Sequence, residues 1–488
     1  MEYSCSILAR RHRPNRRGDA PLMRNEMGLK EWTRATRSGI SRFGLTAHSS
    51  SRRSLFAAGI AGFVIALMHG KASDFVYDAQ QYWGGARALV SGGDFYSAGW
   101  LSVRGALSTV IYSPAATASN IFDSGGSLFV LMQNAFLIAV IGVVIVPGIA
   151  KGFLTVGSKH IWVSTLLTSL LLSGFTPYPL TDLWAVALLL LGVLLVLRTG
   201  VWSLVLGGSA LGAAANLRPA YLAPVALAAL VWVIFHWKKV HWPAVGAAIT
   251  FLPQVVVNLA FAASWKPWPV SAFTVANVQS QYASYVVRYD TVAFAGAINP
   301  RQFFCSPDSA SAVITDVPTT TGGLALSFIN NFPTSIRFIT EKVAASLHWS
   351  LATPYADPPS AGLSVMTLFV LFISSVGVMA LVWRLVHERI PMRRVSILVL
   401  LSVWAGSVAT IGFATPETRF ALPVVLVGLV GLLAIPTDRP RSMLKPSGIA
   451  WGASALLLAA LLLWAGFAGL AHPAQPGLVT AAICQVVR

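Results

Sequence analysis

The chain has 488 residues, 55% of them hydrophobic and only 11% charged, with a mean hydropathy of +0.68. A soluble domain carries about 25% charged residues, so a water-soluble globule is excluded. The formal charge of +18 admits a nucleic-acid partner only if it gathers on one solvated face, because a membrane protein gains the same excess from the positive-inside rule.

Residues 1–53 hold twelve Lys/Arg and four Asp/Glu with no apolar run long enough for a signal peptide, and read as a disordered basic cytoplasmic extension. Apolar stretches then recur at about 54–70, 128–149, 161–175, 183–197, 201–217, 219–237, 242–262, 361–383, 395–413, 419–436 and 448–470. Their lengths approach what a bilayer needs. The pattern predicts an all-α polytopic membrane protein with about eleven transmembrane helices in one domain, 54–470, and an exterior tail, 471–488.

With the N-terminus in the cytoplasm, the connections 150–160, 198–200, 236–242, 384–394 and 437–447 share its side. The cytoplasmic segments then hold 24 Lys/Arg and 6 Asp/Glu against 11 of each outside, so the whole excess lies on one side. This separation predicts an inner (plasma) membrane protein and removes the nucleic-acid reading. Two long exterior loops remain, 71–127 and 263–360, expected to carry juxtamembrane helices; 324–349 has helical periodicity and is a candidate to lie on the membrane or to enter it partly. Cys5, Cys305 and Cys484 lack the spacing of a metal site or disulfide framework, so neither is expected.

The chemistry-bearing residues begin after the first span, in SDFVYDAQQYWGGARALVSGGDFY at 73–96. A helix over 78–90 places Asp78, Tyr82, Gly85 and Leu89 on one face. Desolvation near the bilayer is expected to raise the pKa of Asp78 and make it a better proton acceptor. Asp74, one turn earlier, is the rival base. Arg218 in NLRPAYLAP and Arg419 in TPETRFALP stand at exterior helix ends, where a cation needs a partner that a lipid phosphate supplies; Glu417 is the local alternative for Arg419. Asp182 is an exterior turn acid, suited to capping a helix or positioning substrate. His348 is a candidate for proton transfer or phosphate binding.

The run Asp78-x-x-x-Tyr82, then Gly92, Gly93 and Tyr96, followed by Tyr112 to Pro114 in IYSPAA, resembles the first exterior loop of the glycosyltransferase-C superfamily. It resembles in particular the polyprenol-phosphate-mannose-dependent mannosyltransferases, and the pattern recurs in the related protein mannosyltransferase and aminoarabinose transferase families. NLRPAYLAP and TPETRFALP are similar to later motifs of the same superfamily, whereas Ser113 stands where a second proline is usual and 263–360 matches nothing in it. The resemblance implies that Asp78 is the catalytic aspartate, that Tyr82 and Tyr112 line the substrate site, and that sugar passes from a polyprenyl-phosphate donor to a glycan or glycolipid acceptor.

No P-loop, HExxH, GxSxG or GxGxxG stands in a supporting context, which argues against NTPase, metalloprotease, hydrolase and dinucleotide chemistry. No cofactor is expected and no metal cage stands out among the exterior acids. The expectation is an inverting membrane glycosyltransferase with an active site on the periplasmic side. Its rivals are a transporter or flippase of lipid-linked sugar and an O-antigen polymerase or ligase.

Overall fold

Hydrocarbon offers backbone amides no partner but each other, so apolar segments in a bilayer coil into helices. The computed structural model of the protein describes residues 49–474 except 69, 73, 199, 292–300, 314–317, 350–363 and 436–445. Within it, helices form over every apolar stretch: α1 Ser49–Ala66, then, after helix α2 Tyr77–Ser91, α3 Ser127–Ala150, α4 Ser158–Leu172, α5 Thr181–Val196, α6 Val201–Leu217, α7 Leu222–His236 and α8 His241–Ala262. The loop after α8 carries α9 Ala272–Ala283, α10 Thr321–Asn330 and α11 Thr334–Leu347. The last four are α12 Val365–His387, α13 Pro391–Phe413, α14 Leu422–Leu433 and α15 Pro446–Gly469.

Six of these segments are long and apolar enough to cross a membrane: Ser127–Ala150, Pro219–Lys239, His241–Ala262, Val365–His387, Pro391–Phe413 and Gly448–Gly469. Thr181–Val196, Val201–Leu217 and Thr418–Leu433 are apolar but shorter. Inside α3 the turn widens to a π-helix over Ile141–Ile145 just before Pro147, where the missing proline N–H interrupts the regular ladder.

The helix ends sort into two groups. At one end Arg384 Nη2 donates to Phe153 O at 2.6 Å and Arg384 Nη1 to Ala434 O at 3.4 Å, while Trp162 Nε1 reaches Ser54 Oγ at 3.1 Å. At the other, α2, the start of α5, the end of α6 and the segment entering α14 meet through ion pairs. The charge separation in the sequence assigns these same segments to two opposite sides.

The loop after α8 is more than helix. β1 Val286–Thr291 pairs antiparallel with β2 Arg301–Cys305, and β2 with β3 His472–Ala474, so the first residues of the expected tail form part of a small sheet. This departs from the purely helical expectation, and the chain 167 residues apart that completes the sheet explains why: Cys305 faces His472. The sheet buries Val286, Val287 and Phe304 against Leu324 of α10 and Phe338 of α11. The helical stretch over 324–349 divides at Phe332-Pro333, and α11 buries Phe338, Val343 and Leu347 in the protein core. Cys305 is disulfide-bonded, which corrects the expectation of no disulfide; its partner lies outside the described residues.

Lys342 on α11 is fully buried and, among the described residues, has no carboxylate partner. Its ammonium donates to Ala283 O at 2.6 Å, Gly412 O at 3.0 Å and Ala414 O at 2.9 Å. Three N–H donors thereby join the end of α9 to the end of α13, where the orphan carbonyls of a helix terminus concentrate negative charge. Burial lowers the Lys342 pKa well below the ordinary lysine value.

Candidate functional site

Asp78 sits in the first turn of α2, where a carboxylate complements the helix dipole. The facing segment, 95–110, lies close on α2 because Gly85 has no side chain: a Cβ there would stand 2.7 Å from Gly99 Cα. That segment carries Arg104. Its course is fixed one residue later, where a Cβ on Gly105 would fall 1.8 Å from Asn216 O. The next two amides are held by side chains of α8 and α6, Ala106 N donating to Gln254 Oε1 at 2.7 Å and Leu107 N to Asn216 Oδ1 at 3.2 Å. An amide ladder continues from Gln254 Nε2 to Asn258 Oδ1 at 3.1 Å and from Asn258 Nδ2 to the carbonyls of Lys266 and Trp268.

The outcome is a cluster of three guanidinium and three carboxylate groups. Arg104 Nη2 donates to Asp78 Oδ1 at 2.5 Å and Arg419 Nη2 to Asp78 Oδ2 at 2.8 Å. Arg419 Nη2 also donates to Glu417 Oε1 at 2.6 Å, and its Nη1 lies 3.5 Å from Asp182 Oδ2. Arg218 Nε stands 2.9 Å from Asp182 Oδ1, an ion pair not aligned as a hydrogen bond. The Tyr289 hydroxyl donates to Glu417 Oε1, and Tyr289 N donates to Pro416 O at 3.0 Å. Formal charges cancel within the cluster.

Exposure divides the cluster. The side chains of Asp78 and Arg104 are 18% and 21% exposed, while those of Asp182, Glu417, Arg419 and Arg218 are at most 7%. An incoming molecule therefore meets the Asp78–Arg104 pair first. Tyr82 floors this edge, with the Arg104 guanidinium 5.4 Å above its ring, a cation–π contact that orients the cation.

Burial alone would raise the Asp78 pKa, as the sequence reading expected, but the guanidinium groups of Arg104, Arg419 and Arg218 outweigh it and hold the carboxyl well below its ordinary range. That is a correction: Asp78 is fixed as a carboxylate, and a weakly basic one. Burial first, then Glu417, pushes the Tyr289 phenol upward, so it stays a donor.

Of the sequence candidates, Asp78, Tyr82, Asp182, Arg218, Glu417 and Arg419 come together. Asp182 is neither a turn acid nor a cap: it lies in the first turn of α5 and is fully buried between two arginines. Tyr112 lies beneath the site as a support, its hydroxyl donating to Leu180 O at 2.7 Å. Asp74 is exposed and, among the described residues, makes no hydrogen bond or ion pair to the cluster. His348 belongs elsewhere; its carbonyl accepts from Arg288 Nη1 at 2.9 Å and its ring packs on Phe467. Arg104 is the member of the cluster that no sequence motif had marked. It is one of eleven Lys/Arg that the charge separation assigns to the exterior, but no local pattern distinguishes it. Neither a protein-family model nor a curated protein matches the chain.

Proposed function

We propose that the protein is an integral-membrane glycosyltransferase of the glycosyltransferase-C kind, with about eleven spans, that moves a sugar from a polyprenyl-phosphate donor to an extracytoplasmic glycan or glycolipid. The carrying observation is the partly exposed Asp78 carboxylate seated among Arg104, Arg218 and Arg419 at one end of the apolar helices. A lipid-linked donor presents its phosphate at that depth, at the boundary between hydrocarbon and water.

The residues suit a direct displacement. The acceptor hydroxyl oxygen bonds to the anomeric carbon, inverting it, while the bond from that carbon to the phosphate oxygen breaks and leaves its electron pair on the phosphate. The hydroxyl proton passes to Asp78. Guanidinium groups offset the charge that gathers on the leaving phosphate, an interaction strengthened where water is scarce. Tyr82 and the Asn216–Gln254 amides hold Arg104 in place.

The exterior placing of the site draws support from the disulfide at Cys305, since disulfides persist in oxidising compartments. β2, which carries Cys305, pairs with β1, and Tyr289 of β1 bonds Glu417, so disulfide and cluster share a side. Purified protein in lipid, given a panel of polyprenyl-phosphate sugars with products read by mass spectrometry, tests the function. Sugar transfer from one of them is expected; transport of an intact lipid-linked sugar without transfer would overturn it.

A further inference from the structure

We infer that the resting site is closed by its own carboxylate: Asp78 occupies the anion position on Arg104, and a phosphate binds by taking Arg104 from it. This deepens the proposed function and rests on it. Arg104 is the one cation of the cluster with an accessible edge, and its guanidinium has a single carboxylate partner, Asp78 Oδ1. Arg218 and Arg419 are instead enclosed with Asp182 and Glu417. The Nε–H groups of both Arg104 and Arg419, the two cations that hold Asp78, are buried without a hydrogen-bond partner, so each retains donor capacity that an additional anion satisfies.

Three guanidinium and three carboxylate groups already pair with one another, so the cluster has no spare cation, and a phosphate gains a guanidinium partner by taking one from a carboxylate. When Arg104 turns to the phosphate, Asp78 loses a cation and gains an anionic neighbour. Both changes raise its affinity for a proton. The groups around Asp78 comprise Arg104 of the 95–110 segment, Arg419 and Glu417 before α14, Arg218 after α6, Asp182 of α5, Tyr82 of its own helix and Tyr289 of β1. Of these, Arg104 alone is exposed enough to leave without unpairing a buried carboxylate. Asp78 thus becomes an effective base only once a donor is seated, which keeps its proton chemistry coupled to donor binding. On transfer the phosphodiester monoanion becomes a monoester dianion while Asp78 gains the acceptor's proton, so the net charge of the site is unchanged.

The test measures binding of a short-chain polyprenyl monophosphate to the full-length protein in lipid nanodiscs, between pH 6 and 8.5, with melting temperature on the same samples. Asp78→Asn removes the competing carboxylate, so it should bind the probe about tenfold more tightly than the unmodified protein while losing turnover. Arg104→Gln should bind about tenfold more weakly. The unmodified protein should bind more tightly as pH falls, beyond the change seen in Asp78→Asn, which shares the ligand's own titration. Equal or weaker binding by folded Asp78→Asn, or unchanged binding by Arg104→Gln, overturns the exchange while leaving the donor reading intact. Absence of binding by every form overturns the donor reading and the exchange with it.

Discussion

Asp78 and Arg419 are 341 residues apart in the chain, and Arg419 Nη2 donates to Asp78 Oδ2 at 2.8 Å. One bond thus joins the helix after the first apolar segment to the entry of the tenth. It places a carboxylate and a cation from opposite halves of the sequence at one site.

Asp78→Asn keeps the shape of the side chain and one hydrogen-bond acceptor but removes its charge. Turnover is expected to fall about a hundredfold or more, the usual contribution of a positioned base. The partial exposure of Asp78 leaves the fold intact, as far-UV circular dichroism and gel filtration in detergent would record. Near-normal turnover would exclude Asp78 as the base.

Arg419 is buried against Asp78, Asp182 and Glu417. Removing one partner from a buried ionic network costs about 3–5 kcal/mol, because the charges left behind have no water to turn to. Arg419→Ala should therefore lower the melting temperature steeply, and Arg419→Lys less so, since lysine keeps the charge but loses the planar fork that spans several carboxylates. Arg218→Ala should resemble Arg419→Ala through its pairing with Asp182. Equal melting temperatures for Arg419→Ala and the unmodified protein would contradict the ionic role.

Lys342 supports the strap that carries Glu417 and Arg419. Its bond to Ala414 O precedes those of Thr415 Oγ1 to Gln279 O at 3.1 Å and of Tyr289 N to Pro416 O, so three successive residues are tied down. Lys342→Met fills the space yet leaves three carbonyls unpaired, at roughly 1–3 kcal/mol for a buried acceptor. Turnover per folded molecule is expected to drop several-fold through Glu417 and Arg419, with Lys342→Arg recovering part of it. Turnover unaffected by Lys342→Met would confine this lysine to stability.

Orientation in the membrane is open to chemical labelling. Cysteine placed at Trp100 or Trp265, both more than half exposed, should react from outside intact cells with an impermeant thiol reagent, whereas cysteine at the exposed Lys239 should not. Labelling at position 239 from outside would invert the assignment of sides.

Composition and apolar run lengths determined the helical membrane character by themselves, because hydrocarbon leaves a chain no other way to pair its amides. The positions of the helices were legible for the same reason. Asp78, Arg218, Glu417 and Arg419 stood out because charge is scarce in this chain and each falls beside a helix end. What only the tertiary structure decided is the company they keep. Arg104 enters the site because Gly85 and Gly105 let its segment approach, contacts between α2, α6 and the intervening loop that no local periodicity encodes. β3 likewise finds β2 across 167 residues. The sign of the Asp78 shift followed from that company: burial was foreseeable from one segment, but the three guanidinium groups that outweigh it come from three others, and electrostatics at a few ångströms depends on where they meet.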